Sequence, residues 1–392
     1  MVNWTTIDEL CEIFINKYEE SKLGSELEKA CSEEYELMRD YNGRQILELL
    51  QNVDDAYGEN KTVNFEELAV KISFKNNILE VGNTGTTFSA ETIERLCLGR
   101  ASDKSSKNIG NKGTGFRSLL NDAEWIEIYS GSFSIRFSQK YAYEIFQQSL
   151  KKSLRIQEQK VNWKKDYPFC FPIMNCPEKI SPRDSNFDTL IRVKVKEDNN
   201  SKDASIEKQL NQPFYKSLLF LPNITKIRIE TNGNVRQFEK FVDGDEVLIA
   251  ESQTVHSEEY YVYEKNAQIG NKNANLIISV PKAADYDFSN EKLYCYFPIR
   301  NFQTPIHALI HAPFVTNDSR DDIPNDNEQI NKQIFKEIII FIKEISEKLS
   351  TENTTTLAIQ TVIPFEDNKL WKTDFFNLEE EYIKVIGEAK IL

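Results

Sequence analysis

The sequence predicts a mixed α+β protein of at least two domains, and three observations carry that prediction. The chain has 392 residues, against roughly 150 for a typical domain. Its first half sets a helical pattern at 43–57 beside alternating apolar residues at 70–81, a helix followed by a hairpin. Its second half repeats strand-and-turn patterns from 217 to 299 and closes on a long helical pattern at 327–349.

Each element has its own warrant. Residues 1–40 carry apolar positions at helical spacing (Ile7, Leu10, Cys11, Phe14, then Leu23, Leu27, Ala30) and predict two amphipathic helices covering the N-terminal side. The helix at 43–57 is expected to stop at Gly58. Val70, Ile72 and Phe74 alternate with polar residues, Asn76 and Asn77 turn the chain, and Ile78 to Val81 return. Ser89 to Leu98 and Phe116 to Leu120 read as short helices, and 124–137 and 187–195 as strands. Residues 147–186 are basic, aromatic and proline-containing, which predicts a surface insertion. The charged run near 200–212 marks a boundary between a domain at 41–210 and a second at 211–349. That second domain should hold strands at 217–229, 235–263, 275–280 and 293–299. The tail from 350 opens with TENTTT, a linker composition, and ends without a stop signal, which predicts a chain cut from a longer one.

Several functions are disfavoured at once. No uncharged apolar run approaches the roughly 18 residues of a membrane span; the nearest is Ile338 to Ile342. The N-terminus carries acids where a secretory signal is basic, so a cytoplasmic location is expected. Lysine and arginine number 48 against 62 acids, a net charge of −14, which argues against whole-surface attraction to nucleic acid or anionic lipid. The six cysteines form no CxxC pair and read as reduced, packed thiols. His307 and His311 lie four apart, but the sequence offers no third ligand beside them, so core or strand histidines are expected rather than zinc ligands.

The chemically informative residues begin in the 43–57 helix. At ~100° per residue, Glu48, Asn52 and Asp55 share an arc of about 60°, while Leu47, Leu49, Leu50 and Val53 fill the remainder. Such a helix packs on a sheet and aims three polar groups into a cavity; the competing reading is a solvated polar stripe. Two glycine-bearing loops favour the cavity. GNTG at 82–85 ends a strand, and IGNKGTGFRS at 109–118 opens a helix. Glycines here permit close approach of a phosphate to backbone amides. Neither a Walker loop nor a GxGxxG after the first strand is present.

ExxxNxxDA (Glu48, Asn52, Asp55, Ala56), NTG (Asn83 to Gly85) and IGNKGTGFRS, in this order, resemble the three nucleotide-binding boxes of the GHKL ATPases. That superfamily comprises the ninety-kilodalton heat-shock chaperone, gyrase B, MutL, MORC proteins and histidine kinases. The resemblance is greatest to the chaperone and to sacsin-type ATPases, which also carry a strand region like Leu218 to Leu221. FPIRNFQTPIHALIHAPFVTNDSRDDI at 297–323 resembles the second-domain segment of that group, with an SRE-like loop at Ser319, Arg320 and Asp321. The resemblance spans roughly 40–345. It implies a two-layer α/β sandwich of the GHKL (Bergerat) type followed by a transducer-like α/β middle domain.

The resemblance also implies roles. Glu48 would be the general base toward the attacking water, and Asn52 would hold a magnesium ion. Asp55 and Ala56 would line the adenine pocket. Asn83 stands where the chaperone has the aspartate that receives the adenine amino group; an asparagine carbonyl can accept that bond, but its amide nitrogen cannot. Gly85 would let the chain turn near the base. Gly110, Asn111, Lys112, Gly113, Thr114, Gly115 and Phe116 would wrap the phosphates, and residues 86–108 would form a lid, against a plain surface loop as the alternative. Arg320 would reach the terminal phosphate from the second domain; its alternative is a surface ion pair with Asp321 or Asp322. The implied activity is Mg-dependent ATP hydrolysis driving lid closure and homodimer opening and closing, with the first forty residues mediating or blocking that pairing. In an AT-rich bacterial setting, suggested by lysine, asparagine and isoleucine richness, such ATPases belong to larger proteins, some in phage defence. The alternatives are an ATPase of MORC, MutL or gyrase type acting on nucleic acid, and a nucleotide-binding module without hydrolysis. A histidine kinase is disfavoured because all three histidines lie beyond residue 255.

Overall fold

The computed structural model describes residues 5–20, 25–40, 44–59, 69–98, 114–152, 172–196, 206–211, 214–252, 254, 256–270, 272–317, 320–324, 328–351, 354–372 and 374–390. The architecture is mixed α+β, in two compact units: 1–212 with 226–236, and 213–225 with 237–392.

In the first unit the helices are α1 (Ile7–Glu20), α2 (Ser25–Asp40), α3 (Gln45–Glu59), α4 (Ala90–Leu98), α5 (Thr114–Leu120), α6 (Gln139–Lys152) and α7 (Ile206–Leu210). The strands are β1 (Ala69–Lys75), β2 (Ile78–Asn83), β3 (Ala123–Ser130), β4 (Phe133–Ser138), β5 (Glu178–Lys179), β6 (Thr189–Val195) and β7 (Lys226–Thr231). Among the described residues they pair in the order β7-β1-β2-β6-β3-β4-β5. The β7–β1 pair is parallel and the others are antiparallel. Asn76 and Asn77 turn the β1–β2 hairpin with φ of +52° and +58°, the left-handed geometry that suits asparagine and matches strand twist.

Strand alternation gives this sheet two different faces. Val70, Ile72, Leu79, Val81, Ile126, Ile128, Ile135, Phe137, Ile191 and Val193 are all buried, on the face against which α5 and α6 pack through β3 and β4, while α3 packs on α5 and α7. The opposite face carries a ladder of ion pairs. Arg192 bonds Glu80 at 2.7 Å and Glu127 at 2.6 Å, and Arg136 bonds Glu127 at 2.6 Å. Trp125 lies beneath both guanidiniums, 5.6 and 5.5 Å from its ring centre.

A buried ion pair joins the helical side together. Arg117 of α5 stands 3.6 Å from Glu34 of α2, and both are at most 5% exposed. Arg117 also donates to the carbonyls of Leu96 and Cys97 at the end of α4, each at 3.0 Å. Glu34 accepts the backbone N–H groups of Ile173 and Met174 at 2.6 and 3.1 Å. Burial pushes the Glu34 carboxyl up and the Arg117 guanidinium down, each opposed by the charge of the other. The pair stands because hydrogen bonds replace much of the lost water.

The second unit contains β8 (Asn234–Asp243), β9 (Glu246–Ser252), β10 (Ser257–Ile269), β11 (Lys272–Pro281), β12 (Lys292–Cys295), β13 (Phe297–Gln303) and β14 (Leu309–His311). Its order is β13-β12-β14-β11-β10-β9-β8. The long α8 (Glu328–Thr351) buries Ile334, Phe335, Ile338, Ile342 and Ile345 against Leu276, Ile278, Phe302 and Ile310. Then α9 (Thr355–Val362) and α10 (Glu379–Gly387) pack on α8. Among the described residues no helix is long and apolar enough to cross a membrane.

Several expectations are corrected. The third helix runs through Gly58 to Glu59, because its first box stays helical to the end. Leu218 and Leu219 belong to a 3-10 turn at Phe214–Leu219 rather than a strand. The strand at 226–231 pairs in parallel with β1 and falls in the first unit rather than in the second domain expected from 211. The described part of the expected surface insertion is core at 172–177: Ile173, Met174 and Cys176 are at most 4% exposed, since this segment fills the space between α2 and α4. The tail is no linker, for Leu370, Trp371, Phe376, Leu378 and Tyr382 enter the core of the second unit.

Removing one partner of the Glu34–Arg117 pair leaves a buried charge. Arg117→Met and Glu34→Gln are each expected to lower unfolding free energy by about 3–5 kcal/mol in urea titration, and the double variant by less than their sum.

Candidate functional site

Helix α3 is buried around most of its circumference. Ile46, Leu49, Leu50 and Val53 form its apolar side; Gln45, Glu48, Gln51, Asp54 and Asp55 are at most 7% exposed, and Asn52 and Ala56 are half-buried. The expected arc of Glu48, Asn52 and Asp55 is therefore enclosed rather than a solvated stripe. Burying this many polar groups is costly without hydrogen bonds, and the N-terminal turn shows how the cost is met. Gln45 Nε2 donates to Asp122 Oδ2 at 2.6 Å, Gln209 Nε2 donates to Gln45 Oε1 at 2.7 Å, and the Ile46 N–H donates to Gln209 Oε1 at 3.3 Å.

The second box follows β2. Asn83 is 2% exposed, and its Nδ2 donates to the Thr84 carbonyl at 2.9 Å. Gly85 has φ +128°, a conformation L side chains rarely adopt, and its N–H donates to Asp188 Oδ2 at 2.9 Å. The Thr86 N–H donates to the Ala56 carbonyl at 3.3 Å, which ties this loop to the end of α3. The Phe88 N–H then donates to Ser130 Oγ at 2.8 Å.

The third box is described from Thr114 onward, where α5 begins; Gly110, Asn111, Lys112 and Gly113 lie outside the described residues. Phe116 is buried and meets Phe88 edge-on, with ring centres 6.2 Å apart. With α3 packed on α5, the described parts of the three boxes converge in one place. Of the expected lid, Ala90–Leu98 is a packed helix, capped by Ser89 Oγ accepting the Thr92 N–H at 3.1 Å; residues 99–108 lie outside the described residues.

Arg320 belongs to the second unit. It is held at φ +53° with its N–H on the Asn317 carbonyl at 2.9 Å, while Asn317 Oδ1 accepts the N–H groups of Asp321 and Asp322. Of the two acids expected as its alternative partners, Asp322 pairs with Lys369 at 3.0 Å and Asp321 stands 3.9 Å from Arg300. Ser319 lies outside the described residues. His311 is fully buried in β14, accepts the Tyr296 N–H through Nδ1 at 2.9 Å and is lowered to about 3 by burial. His307 lies tilted against Phe365, with ring centres 4.3 Å apart. Among the described residues no group of three histidine, cysteine or acidic side chains is placed to hold a metal.

Thr189 escaped the sequence reading. It is the register partner of Asn83 across the β2–β6 pair, and its Oγ1 lies 2.6 Å from Ser130 Oγ. The signal was present as Asp188–Thr189, a polar pair opening an otherwise apolar alternation. Thr84 Oγ1, in the same region, is buried without a hydrogen-bond partner among the described residues.

No family profile matches the chain. A stretch of 94 residues, 24% of the chain, is 35% identical to "Protein NO VEIN" of Arabidopsis thaliana. The chain spans about 3% of the length of that curated relative.

Burial raises the Asp122 carboxyl from 3.8 to about 6, opposed by Lys196. The folded protein thus keeps this proton where the unfolded chain has lost it, so the associated stability is present below pH ~4 and lost as pH rises through ~6. At about 1.4 kcal/mol per pH unit, wild type should lose on the order of 2–3 kcal/mol from this group over that window. In Asp122→Asn that component is absent, and urea midpoints across pH 4–7 read the difference.

Proposed function

We propose that the first unit binds ATP with magnesium and hydrolyses it, as a GHKL ATPase domain of two-layer Bergerat type, closest to sacsin-type and chaperone-type enzymes. The convergence of α3, the 83–86 turn and the start of α5, from three segments separated in sequence, carries this reading. Three features support the fit. Glu48 and Asp55 are enclosed acids on the face shared with Asn52. Gly85 holds a φ of +128° in the turn tied to the end of α3, a conformation suited to glycine. Thr84 Oγ1 is a buried polar atom lacking a partner among the described residues.

Each residue has a defined task in this scheme. Asn83 donates its Nδ2 to the Thr84 carbonyl, which supports Oδ1 as the atom that would accept the adenine amino group. Asp55 and Ala56 line the base pocket. Asn52 holds the magnesium ion, which neutralises phosphate charge. Glu48 orients and deprotonates the attacking water. The 110–116 loop supplies backbone amides to the phosphates. Arg320 is the cation proposed for the charge of the terminal phosphate. Dimer pairing, a cytoplasmic setting and a role within a longer protein, including phage defence, belong to the same proposal.

The test is a pair of variants. Glu48→Ala should keep ATP affinity within a few-fold by calorimetry while phosphate release falls ~10²–10⁴-fold. Asn52→Ala should lose the magnesium dependence of binding. Unchanged turnover in Glu48→Ala would remove that residue from its role. ATP binding without release in wild type would favour a binding module instead.

A further inference from the structure

The sequence offers no CxxC pair, yet the fold brings together two cysteines 165 residues apart: Cys11 Sγ of α1 lies 3.1 Å from Cys176 Sγ. This is about 1 Å longer than a disulfide bond of ~2.05 Å. Cys11 is 5% exposed and Cys176 is fully buried. Cys176 follows the 3-10 turn Ile173–Asn175, which is bonded on three sides. Glu34 of α2 accepts two of its backbone N–H groups, Tyr18 of α1 donates to Asn175 Oδ1 at 2.8 Å, and Asn175 Nδ2 donates to the Cys97 carbonyl at the end of α4. The backbone just before Cys176 is therefore held by hydrogen bonds, with its sulfur about 1 Å beyond bonding distance of Cys11.

We propose that Cys11 and Cys176 form an oxidative modification site, closed to an intramolecular disulfide by a peroxide and opened by a thiol reductant. In the first step a sulfur of Cys11 attacks one peroxide oxygen, the O–O bond breaks, and the products are a sulfenic acid and one water. In the second the Cys176 sulfur attacks the sulfenic sulfur and expels a second water. Two thiol hydrogens and both peroxide oxygens leave as water; the sulfurs are oxidised and the peroxide is reduced. Cys11 is the attacking group because it is the less deeply buried, and its hydrogen bond with Cys176 lowers the pKa of the Cys11 thiol, favouring its thiolate, while raising that of Cys176. The groups facing the pair are Asp8, Glu12, Glu178, Tyr141 and Cys97. Closure would staple the N-terminal helix to the segment that holds the Cys97 carbonyl at the end of α4. Cys31 and Cys97 are also buried, and they serve as internal controls.

The experiment treats the full chain with graded hydrogen peroxide, traps remaining thiols with a maleimide in denaturant, and maps peptides without reduction. Trapped thiols should fall from six, the chain's full number, to four, with a Cys11–Cys176 cross-linked peptide, a higher urea midpoint, and full reversal by dithiothreitol. Cys176→Ala should stop at the sulfenic or sulfinic acid of Cys11, and Cys11→Ser should leave Cys176 trapped by maleimide. Six trapped thiols after treatment, or oxidation at other cysteines without the cross-link, would overturn the proposal. The readout is covalent and uses no nucleotide, so it stands or falls apart from the ATPase reading.

Discussion

The structure of the first unit turns on the cost of burying polar groups along one helix. Gln45, Glu48, Gln51, Asp54 and Asp55 of α3 are nearly wholly enclosed, and each such group must recover hydrogen bonds that water would otherwise supply. The surroundings are arranged to provide them: Asp122 from the approach to β3 and Gln209 from α7 close a network on Gln45 and the first turn of the helix. Apolar residues of similar size would fill the same volume at lower cost. Five enclosed polar side chains set α3 apart from an ordinary core helix, whose buried positions are apolar.

The same economy explains Arg117. It lies within the glycine-rich third box, directly after Phe116, and is buried with Glu34, so α2, α4, α5 and the 173–175 turn share one charged centre. Two carbonyls at the end of α4, within the stretch 86–108 expected as a lid, are held by that guanidinium. A change at Arg117 therefore reaches the end of α4 and, through Glu34, α2 by direct polar contacts. The N-terminal helices themselves bury Ile7, Leu10, Phe14 and Tyr18 within their own unit, so their apolar faces serve packing before any pairing between copies.

Legibility in the sequence followed the range of the interaction. The β1–β2 hairpin was readable because its turn depends on Asn76 and Asn77 alone, and α4 because Ser89 caps it locally. The arc of Glu48, Asn52 and Asp55 was readable from helical geometry, but its enclosure depends on residues more than seventy positions away and was not. The 172–177 segment was misread because proline and aromatic content signals a surface loop, whereas here Glu34 satisfies its backbone and lets it enter the core. The parallel pairing of β7 with β1 carries no local signature at all, and Phe214–Leu219 has an apolar run that short 3-10 and strand segments share.

The choice between a nucleotide-driven protein machine and one that acts on nucleic acid can be argued from the open face of the first sheet. A phosphate backbone is held by guanidinium and ammonium groups available in rows. On this face Arg192 and Arg136 are committed to Glu80 and Glu127 and stacked over Trp125, Arg183 stands 3.6 Å from Glu80, and Lys71 pairs with Glu230 at 3.0 Å. These four cations each stand beside a carboxylate, while Lys194 on the same face donates to the Asn76 carbonyl at 3.3 Å. A guanidinium or ammonium held to a carboxylate offers a phosphate backbone less attraction than an unpaired one, so these pairs weaken the pull of this part of the sheet on nucleic acid.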